Sequence, residues 1–333
     1  MGEHVFGDDR IMLVSHFCDT NSIGGTEIAI HRYAEAVGKF GVENRIFMGG
    51  IKPTLAFFRT YKTSIIHNHM CISIFPHFYI ISKFKKIPSV ITLHSMFNVE
   101  TLFPPRFTKE FEKYIYLLNG IFNCITVPSH TVKNYWQERG LKEINVVPYP
   151  IDTSIFRPRK VKKSKRFSLI YVGQFRRDKR VPLLLRAVKD LDVDVNLIGG
   201  LGADCKYVKA YAKNHSNIKI SGFIPNHKLP RIYSQCHVYV NASISETFGL
   251  SMAEAMACGL PVISMRNLGA EELIKKKTGF IVKNEKEMRE KIIYLKENAD
   301  LRRKMGKEAL ERIKPFSPHI VGKKLFNLYK SIC

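Results

Sequence analysis

The segment from residue 237 to 264 constrains the fold of this chain more than any other. It begins with a β-branched and aromatic run at 237–240 and ends in a second apolar run that starts at Pro261. Strong helix formers fill residues 252–257 between them, and Gly259 and Pro261 end the helix. The order of strand, glycine turn, helix and strand predicts two parallel strands of an α/β sheet.

The turn inside this segment has the features of an anion site. Glu246 precedes the turn, Glu254 lies in the helix, and the amides from Gly249 to Ser251 fall where the helix begins. Amides in a first helical turn lack intrahelical acceptors and face the positive end of the dipole, so a diphosphate would be held there. The alternative is a capping box, in which Ser251 caps the helix and Glu254 bonds back to the Ser251 amide. The spacing alone leaves both interpretations open.

The complete string resembles the donor-site signature of a known enzyme family. Seven residues separate Glu246 from Glu254, and the matching positions around them are Phe248-Gly249-Leu250, Glu254-Ala255-Met256-Ala257, Gly259 and Pro261-Val262. This pattern is similar to that of retaining GT-B glycosyltransferases, in particular glycosyltransferase family 4 (glycosyl transferases group 1). The resemblance implies that Glu246 is catalytic and holds sugar hydroxyls, and that Glu254 binds ribose hydroxyls. It also implies that the amides of Phe248, Gly249 and Leu250 meet the phosphates and sugar oxygens.

A pair of glycines follows the first predicted strand, at residues 11–14. Gly24-Gly25 opens a helix whose apolar residues recur at helical spacing, at Ile30, Tyr33, Ala34 and Val37. Glycine lets a backbone approach a ligand closely, and this pair resembles the glycine loop of the family's N-terminal domain. The resemblance implies that Gly24 and Gly25 help to bind the donor. A simple requirement of the loop is the alternative.

Residues 89–94 predict a buried strand that delivers a threonine and a histidine at its end. In the family, the histidine of this T-x-H element faces the donor sugar across the cleft, and His94 matches it. The resemblance therefore implies that His94 is catalytic together with Glu246. A histidine of the core or of a loop is the alternative.

A cationic turn follows the first strand of the second half, from Gly173 to Lys179. The family usually has Gly-Arg-Leu here, with a lysine five residues after the arginine, and the two cations grip the donor diphosphate. Lys179 matches the lysine. Gln174 departs from the pattern, because an amide cannot supply the charge of a guanidinium. Arg176 or Arg177 is expected to compensate, with solvated surface cations as the alternative.

Two further elements of the second half carry expectations. A strand at residues 218–221 leads into Gly222-Phe223-Ile224, a loop that borders the nucleotide base in relatives. In the last helix, an apolar face of Ile320, Leu325 and Leu328 is expected to pack back onto the first domain, as in GT-B proteins.

The length and the composition fit a two-domain α/β protein. The chain has 333 residues, of which 45% are hydrophobic and 25% charged, as in globular proteins. Alternating strands and helices predict two Rossmann-like domains with parallel sheets facing across a cleft, the GT-B architecture. The predicted boundaries are an N-terminal acceptor domain at 1–155, a basic linker at 156–166, a C-terminal donor domain at 167–315 and a returning helix at 316–333.

The formal net charge of +24 indicates an anionic partner, which could be a membrane surface, a nucleic acid or charged glycan and nucleotide substrates; a generally lysine-rich proteome is the alternative. One membrane candidate is an aromatic and aliphatic run that leads into lysines, and a buried helix is its equal alternative. Its residues are Phe75, Phe78, Tyr79, Ile80, Ile81, Lys83, Lys85 and Lys86.

The sequence also bears on location. Seven scattered cysteines without a C-x-x-C pair suggest reduced thiols in the cytosol. No signal peptide is visible at the N-terminus, and the longest apolar run, at 70–81, is too short to span a bilayer. We therefore expect a cytoplasmic protein that can lie on the inner membrane face.

These features predict a retaining glycosyltransferase that moves a hexose from a nucleoside-diphosphate sugar to a hydroxyl of a glycan or lipid-linked acceptor. No cofactor and no metal are expected. A nucleic-acid-modifying glucosyltransferase and a non-catalytic nucleotide- or glycan-binding protein are the alternatives. The sequence leaves the sugar, the base and the acceptor open.

Overall fold

The computed structural model describes residues 13–18, 24–48, 63–69, 86–94 and 120–333. The chain divides into two compact units, residues 1–150 with 318–333, and residues 151–317. Each unit contains one sheet in which all paired strands are parallel. The prediction of two Rossmann-like halves is therefore confirmed.

The first unit has a six-stranded sheet in the order β2-β1-β3-β4-β5-β6. Its strands are β1 (Leu13–Cys18), β2 (Glu43–Met48), β3 (Ile65–Asn68), β4 (Ser89–Thr92), β5 (Cys124–Val127) and β6 (Ile144–Val146). The described helices are α1 (Gly25–Gly38), α2 (His130–Gln137) and, at the chain end, the helix Pro318–Ile332.

The second unit also has six strands, in the order β12-β11-β10-β7-β8-β9. The strands are β7 (Ser168–Gln174), β8 (Asp194–Gly200), β9 (Ile218–Ile220), β10 (Val238–Asn241), β11 (Val262–Met265) and β12 (Gly279–Val282). The helices are α3 (Val181–Ala187), α4 (Cys205–Lys213), α5 (Leu229–Gln235), α6 (Leu250–Ala257), α7 (Leu268–Leu273), α8 (Glu285–Glu297) and α9 (Ala299–Ile313); the helix Pro318–Ile332 is α10.

The sheet of the second unit reverses its order between β7 and β10. From β7 the chain builds outward through β8 and β9, and then it returns to place β10 on the other side of β7. The central strands are buried on both faces, which is why they are near-continuous apolar runs. Because the connections leave β7 and β10 in opposite directions, their carboxyl ends border an open crevice, where doubly wound sheets bind ligands.

Among the described residues, the strands and helices predicted above are present, with their ends shifted by a few residues. The helix opened by Gly24-Gly25 begins at Gly25, and its residues Ile30, Tyr33, Ala34 and Val37 are buried as expected. The predicted first strand at 11–14 lies at Leu13–Cys18. The aromatic run before Lys83 and Lys85 lies outside the described residues.

The basic segment at 157–166 contains no helix or strand and belongs to the second unit. The Lys163 ammonium donates hydrogen bonds to the carbonyls of Ser234 and Cys236, at 3.3 and 2.5 Å. The Arg159 amide donates to the Ser234 hydroxyl at 2.9 Å. These bonds attach the basic segment to the C-terminal end of α5.

Two findings bear on location and thiol chemistry. None of the helices in the described ranges is both long and apolar enough to cross a bilayer. Free thiols are present at Cys124, Cys205, Cys236, Cys258 and Cys333.

Helix α10 packs on α1 as predicted, through a face that contains the predicted Leu325 but not Ile320. Val321, Gly322, Leu325 and Tyr329 are buried, whereas Ile320 is 50% exposed. The prediction that Ile320 belongs to the packed face is therefore wrong. Residues 321, 325 and 329 form a stripe four residues apart, and the absence of a side chain at 322 allows the two helices to approach closely.

We expect Gly322→Ala to destabilise the first unit by about 1–2 kcal/mol, because overpacking forces the backbone to shift. A Cβ at this position would lie 2.3 Å from the Ala36 carbonyl oxygen. On a free helix the same change would stabilise by about 1 kcal/mol through helix propensity, so the two effects differ in sign. Denaturant unfolding measures the outcome, with Asn327→Ala on the exposed side of α10 as the control; a stability gain in Gly322→Ala would contradict the packing.

Candidate active site

Two loops meet at the carboxyl ends of β7 and β10. The first covers residues 175–180 and the second residues 242–249. The Asp178 carbonyl oxygen joins them, because it accepts hydrogen bonds from the Ile244 amide at 3.1 Å and from the Ser243 hydroxyl at 3.3 Å. The two elements that the sequence singles out, a cationic turn and a glutamate turn, are thus held side by side.

An ion pair connects the two loops at their centre. The Lys179 Nζ atom donates to Glu246 Oε1 at 2.7 Å and to the Ser245 carbonyl oxygen at 3.4 Å. The Lys179 and Glu246 side chains are only 16% and 22% exposed. Because water reaches these two charges less than it reaches a surface pair, it screens them less, and their attraction is stronger.

A second cation lies beside the first. The Arg176 guanidinium donates two hydrogen bonds to the Asp178 carboxylate, from Nε to Oδ1 at 2.9 Å and from Nη2 to Oδ2 at 2.8 Å. Arg177 is exposed, and no described residue forms an ion pair with it. Gln174, which stands where the family has arginine, is the last residue of β7. Of the two arginines that could compensate for Gln174, the structure fixes Arg176.

Glycines allow the strand ends to approach one another. A Cβ at Gly173 would lie 2.8 Å from the Tyr171 hydroxyl, which donates to the Gln174 carbonyl at 2.8 Å. A Cβ at Gly199 would lie 2.1 Å from the Gly173 carbonyl oxygen. The ends of β7 and β8 can therefore pack only as bare backbone.

Helix α6 begins directly behind the glutamate turn. Its N-cap is Gly249, which has φ +82° and makes no side-chain capping bond. Ser251 is the second residue of the helix, and its hydroxyl forms a hydrogen bond with the Tyr239 hydroxyl at 2.8 Å. The capping box that the spacing allowed is thus not formed around Ser251. Since the first-turn amides of a helix have no intrahelical acceptors, the anion-site interpretation remains for this turn.

Glu254 lies in α6, and its side chain is only 4% exposed. The pKa values of Tyr239 and Cys258 are raised mainly because these two residues are buried, and the nearby charge of Glu254 raises them further. Phe248 is fully buried, and its ring packs edge-on against Phe316 with 5.4 Å between centroids. The side chain of Phe248 anchors the turn, so only its backbone is offered to a ligand.

Sequence reasoning missed the residues that hold the Glu246 turn in place. The Gly269 amide donates to the Glu246 carbonyl at 2.8 Å, and a Cβ at Gly269 would lie 2.7 Å from the Phe248 carbonyl carbon. The Asn267 side chain caps α7 through the Ala270 amide and donates to the Ser243 carbonyl at 2.8 Å. An asparagine before a helix signals a cap, but nothing local in the sequence signals these contacts with a distant loop.

The predicted base-side loop lies at the end of β9. Gly222 has φ +64°, and its carbonyl oxygen accepts a hydrogen bond from the Gly199 amide at 2.7 Å. Phe223 is 74% exposed and Ile224 is half-buried. Leu201, which follows β8, is also largely exposed. The carboxyl edge of the sheet thus presents apolar side chains two strand positions away from the ion pair.

The structure places the remaining predicted residues in the first unit. Gly24 is the N-cap of α1, and its amide donates to Glu27 Oε2 at 2.9 Å, whereas Gly25 is exposed in the first turn. His94 lies just beyond β4 and is 6% exposed. The structure therefore brings Lys179, Arg176 and Glu246 together, and it holds Gly24, Gly25 and His94 in a separate unit.

His94 belongs to a buried network at the carboxyl ends of β3 and β4. Its Nε2 is 2.8 Å from His69 Nδ1, and its Nδ1 is 2.7 Å from the Tyr149 hydroxyl. The ring of His69 stacks on that of His67 with centroids 4.1 Å apart, and His67 bonds the hydroxyl of Tyr329 in α10 at 2.6 Å. Burial lowers the pKa of His94 to about 3, because the cationic form would lose its hydration.

We expect His94 to stay neutral between pH 8 and pH 5. Its ring resonances should not move over this range in NMR spectra of histidine-labelled protein, with His94→Asn used for assignment. Below about pH 6.5 the unfolded histidine binds a proton that the folded one does not, so stability is lost as the pH falls, at about 1.4 kcal/mol per unit. A His94 titration midpoint above pH 5 would disprove this expectation.

Comparison with known proteins follows the division into two units. A model described as glycosyl transferases group 1 matches residues 152–312, and one described as Glycosyltransferase Family 4 matches residues 24–155. The chain belongs to glycosyltransferase family 4. The resemblance predicted from the residues around Glu246 is thereby confirmed. This family uses nucleotide sugars and retains the anomeric configuration.

The relatives show how far the likeness extends. An uncharacterized glycosyltransferase of Methanocaldococcus jannaschii is 34% identical over 152 residues, which cover 44% of this chain and 43% of that protein. The alpha-monoglucosyldiacylglycerol synthase of Acholeplasma laidlawii is 24% identical over 302 residues, or 81% of this chain and 76% of the synthase. The crystal structure of Anabaena HepE in complex with UDP-glucose matches with a TM-score of 0.81 at 16% identity, covering 96% of this chain and all of that one. The predicted GT-B fold is confirmed.

Proposed function

We propose that this protein transfers a hexose from a nucleoside-diphosphate sugar to a hydroxyl of a glycan or lipid-linked acceptor. The observation that carries the proposal is the ion pair of Lys179 with Glu246 at the β7/β10 crevice, directly before the start of α6. This pair places a cation for the diphosphate, Lys179, next to a carboxylate for the sugar, Glu246. The UDP-glucose bound by HepE and the lipid product named in the Acholeplasma synthase support the donor and acceptor classes.

The donor diphosphate competes with Glu246 for the Lys179 ammonium. A diphosphate carries more negative charge than one carboxylate and also gains the first-turn amides of α6, from Leu250 onward, behind the N-cap Gly249. Arg176 supplies a second cation beside Lys179. Stabilisation of this diphosphate as a leaving group lowers the barrier to breaking the glycosidic bond.

Release from Lys179 leaves Glu246 as a carboxylate, which only accepts hydrogen bonds. It therefore takes bonds from sugar hydroxyls, and its negative charge stabilises the oxocarbenium character that develops at the anomeric carbon. Glu254 binds ribose hydroxyls, and the Gly222-Phe223-Ile224 loop borders the base. On the basis of the family resemblance, we also propose that His94 contacts the donor sugar and that Gly24 and Gly25 help to bind the donor.

Donor binding is the first test of this function. A thermal-shift panel of UDP, GDP and ADP with their sugar conjugates should raise the melting temperature with one base, because a ligand that binds only the folded state stabilises it. Lys179→Ala should weaken binding of that nucleotide by about 10- to 100-fold, the loss of a charge-assisted contact.

The matched control for Lys179→Ala is Lys296→Ala, which removes another lysine of the second unit that is paired with an acid, Asp192, at 3.1 Å. This variant should bind the nucleotide like the wild type. No shift with any nucleotide at millimolar concentration, or equal affinity of Lys179→Ala and wild type, would exclude the proposed donor site.

Glu246→Gln tests the chemical step separately. The variant should lose at least about 100-fold in transfer rate, because the amide cannot stabilise developing positive charge, while it binds the nucleoside diphosphate at least as tightly as the wild type. Radiolabelled sugar transfer and titration calorimetry measure the two quantities. Glu285→Gln, which removes the partner of Arg186 on the surface, is the control. Retention of most of the transfer rate in Glu246→Gln would count against the role of Glu246.

A further inference from the structure

Asp178 occupies an unexpected place for an acid. Its carboxylate accepts both hydrogen bonds of the Arg176 guanidinium, and its Oδ2 lies 3.7 Å from the Lys179 ammonium. It thus contacts both cations to which the proposed function assigns the donor diphosphate. A carboxylate here repels a diphosphate, so anion binding alone does not explain its presence.

The backbone of Asp178 is fixed more firmly than that of a surface turn. Residues 177–179 form one 3₁₀ turn after β7, and the Asp178 carbonyl oxygen receives bonds from Ser243 and Ile244 of the neighbouring loop. The side chain is 26% exposed, half as much as the 53% of Arg176. The acid is therefore the better anchored member of the pair, and its carboxylate holds the more exposed guanidinium through two hydrogen bonds.

The charges in this group support one another. Burial by itself raises the pKa of Asp178, but the hydrogen bond from Arg176 and the charges of Lys179 and Arg176 outweigh it and keep the pKa below its usual range. The bond to Asp178 likewise raises the pKa of Arg176. Glu246 also lies within reach of the Arg176 charge. Both partners stay ionised at neutral pH, so the bidentate pair persists in the absence of a ligand.

An exposed arginine that has to bind an anion loses rotamer entropy, which weakens binding. A bidentate carboxylate on a fixed turn removes most of that freedom before the ligand arrives, which is preorganisation. Arg177 offers the contrast, because it is exposed and the described residues provide no acid for it. The difference between the two neighbouring arginines is the presence of Asp178.

We propose that Asp178 is a positioning residue for the donor diphosphate, which holds the Arg176 guanidinium beside the Lys179 ammonium so that two cations meet the phosphates. This inference rests on the proposed function. It names Arg176, not Arg177, as the second phosphate-binding cation. Asp178 itself makes no contact with the donor and acts through Arg176.

A double-mutant cycle separates this role from a purely structural one. In the wild-type background, Asp178→Asn should weaken binding of the nucleoside diphosphate by about 3- to 10-fold, because Arg176 is released. In the Arg176→Ala background, the same change should leave binding unchanged or strengthen it up to about 3-fold, because only a repulsive charge is removed. A structural defect would weaken binding in both backgrounds.

The measurement is titration calorimetry with UDP, GDP and ADP on the full chain, with melting temperatures to confirm that each variant folds. The matched controls are Arg177→Ala and Asp192→Asn, both of which remove an exposed charge of the second unit. Arg177 has no ion-pair partner among the described residues, and Asp192 pairs with Arg166 away from the two loops. Both should bind within 2-fold of the wild type.

Equal losses from Asp178→Asn in the two backgrounds, or no loss in the wild-type background, would overturn the role of Asp178 alone. A larger loss from Arg177→Ala than from Arg176→Ala would overturn it as well. Failure of the wild type to bind any of the three nucleotides would overturn the inference together with the proposed function.

Discussion

The position of β10 beside β7 is the constraint on which the candidate site depends. The two strands are far apart in the chain, and a doubly wound order of the sheet makes them neighbours. The Asp178 carbonyl oxygen then joins the loops at their ends, with Ser243 and Ile244 as donors. Without this contact, the cations of one loop and the glutamate of the other would be independent surface charges, worth little to each other.

The charges at this point are balanced but not paired one to one. Lys179 lies between two acids, 2.7 Å from Glu246 and 3.7 Å from Asp178, while Arg176 shares Asp178 with it. Two cations and two carboxylates keep the group neutral without a ligand, which avoids uncompensated charge in a partly buried place. In the proposed function, a diphosphate adds negative charge and shifts this balance, and Glu246 is then the member released for other contacts.

The candidate site residues were predicted from local motifs together with the family resemblance. The structure places two of them, Lys179 and Glu246, 2.7 Å apart, and their roles toward a donor stay predictions. His94 was predicted in the same way, but its bonds to His69 and Tyr149 were not, because they join residues of different strands and loops. The wrong assignment of Ile320 to the packed face of the last helix has a similar cause: apolar periodicity does not decide how far the stripe that meets the partner helix extends around the helix.

The sequence by itself determined the order of strands and helices, the two Rossmann-like halves and the family, because apolar periodicity, glycine turns and the glutamate signature are local patterns. The tertiary structure decided which charges face one another. It paired Lys179 with Glu246 and put Gly269 against Phe248. These two contacts cross the sheet's carboxyl edge, and their distances depend on strand order and on close backbone approach. Within the turn itself, the structure decided that Asp178 pairs with Arg176 and not with Arg177. No spacing along a single chain encodes such distances directly.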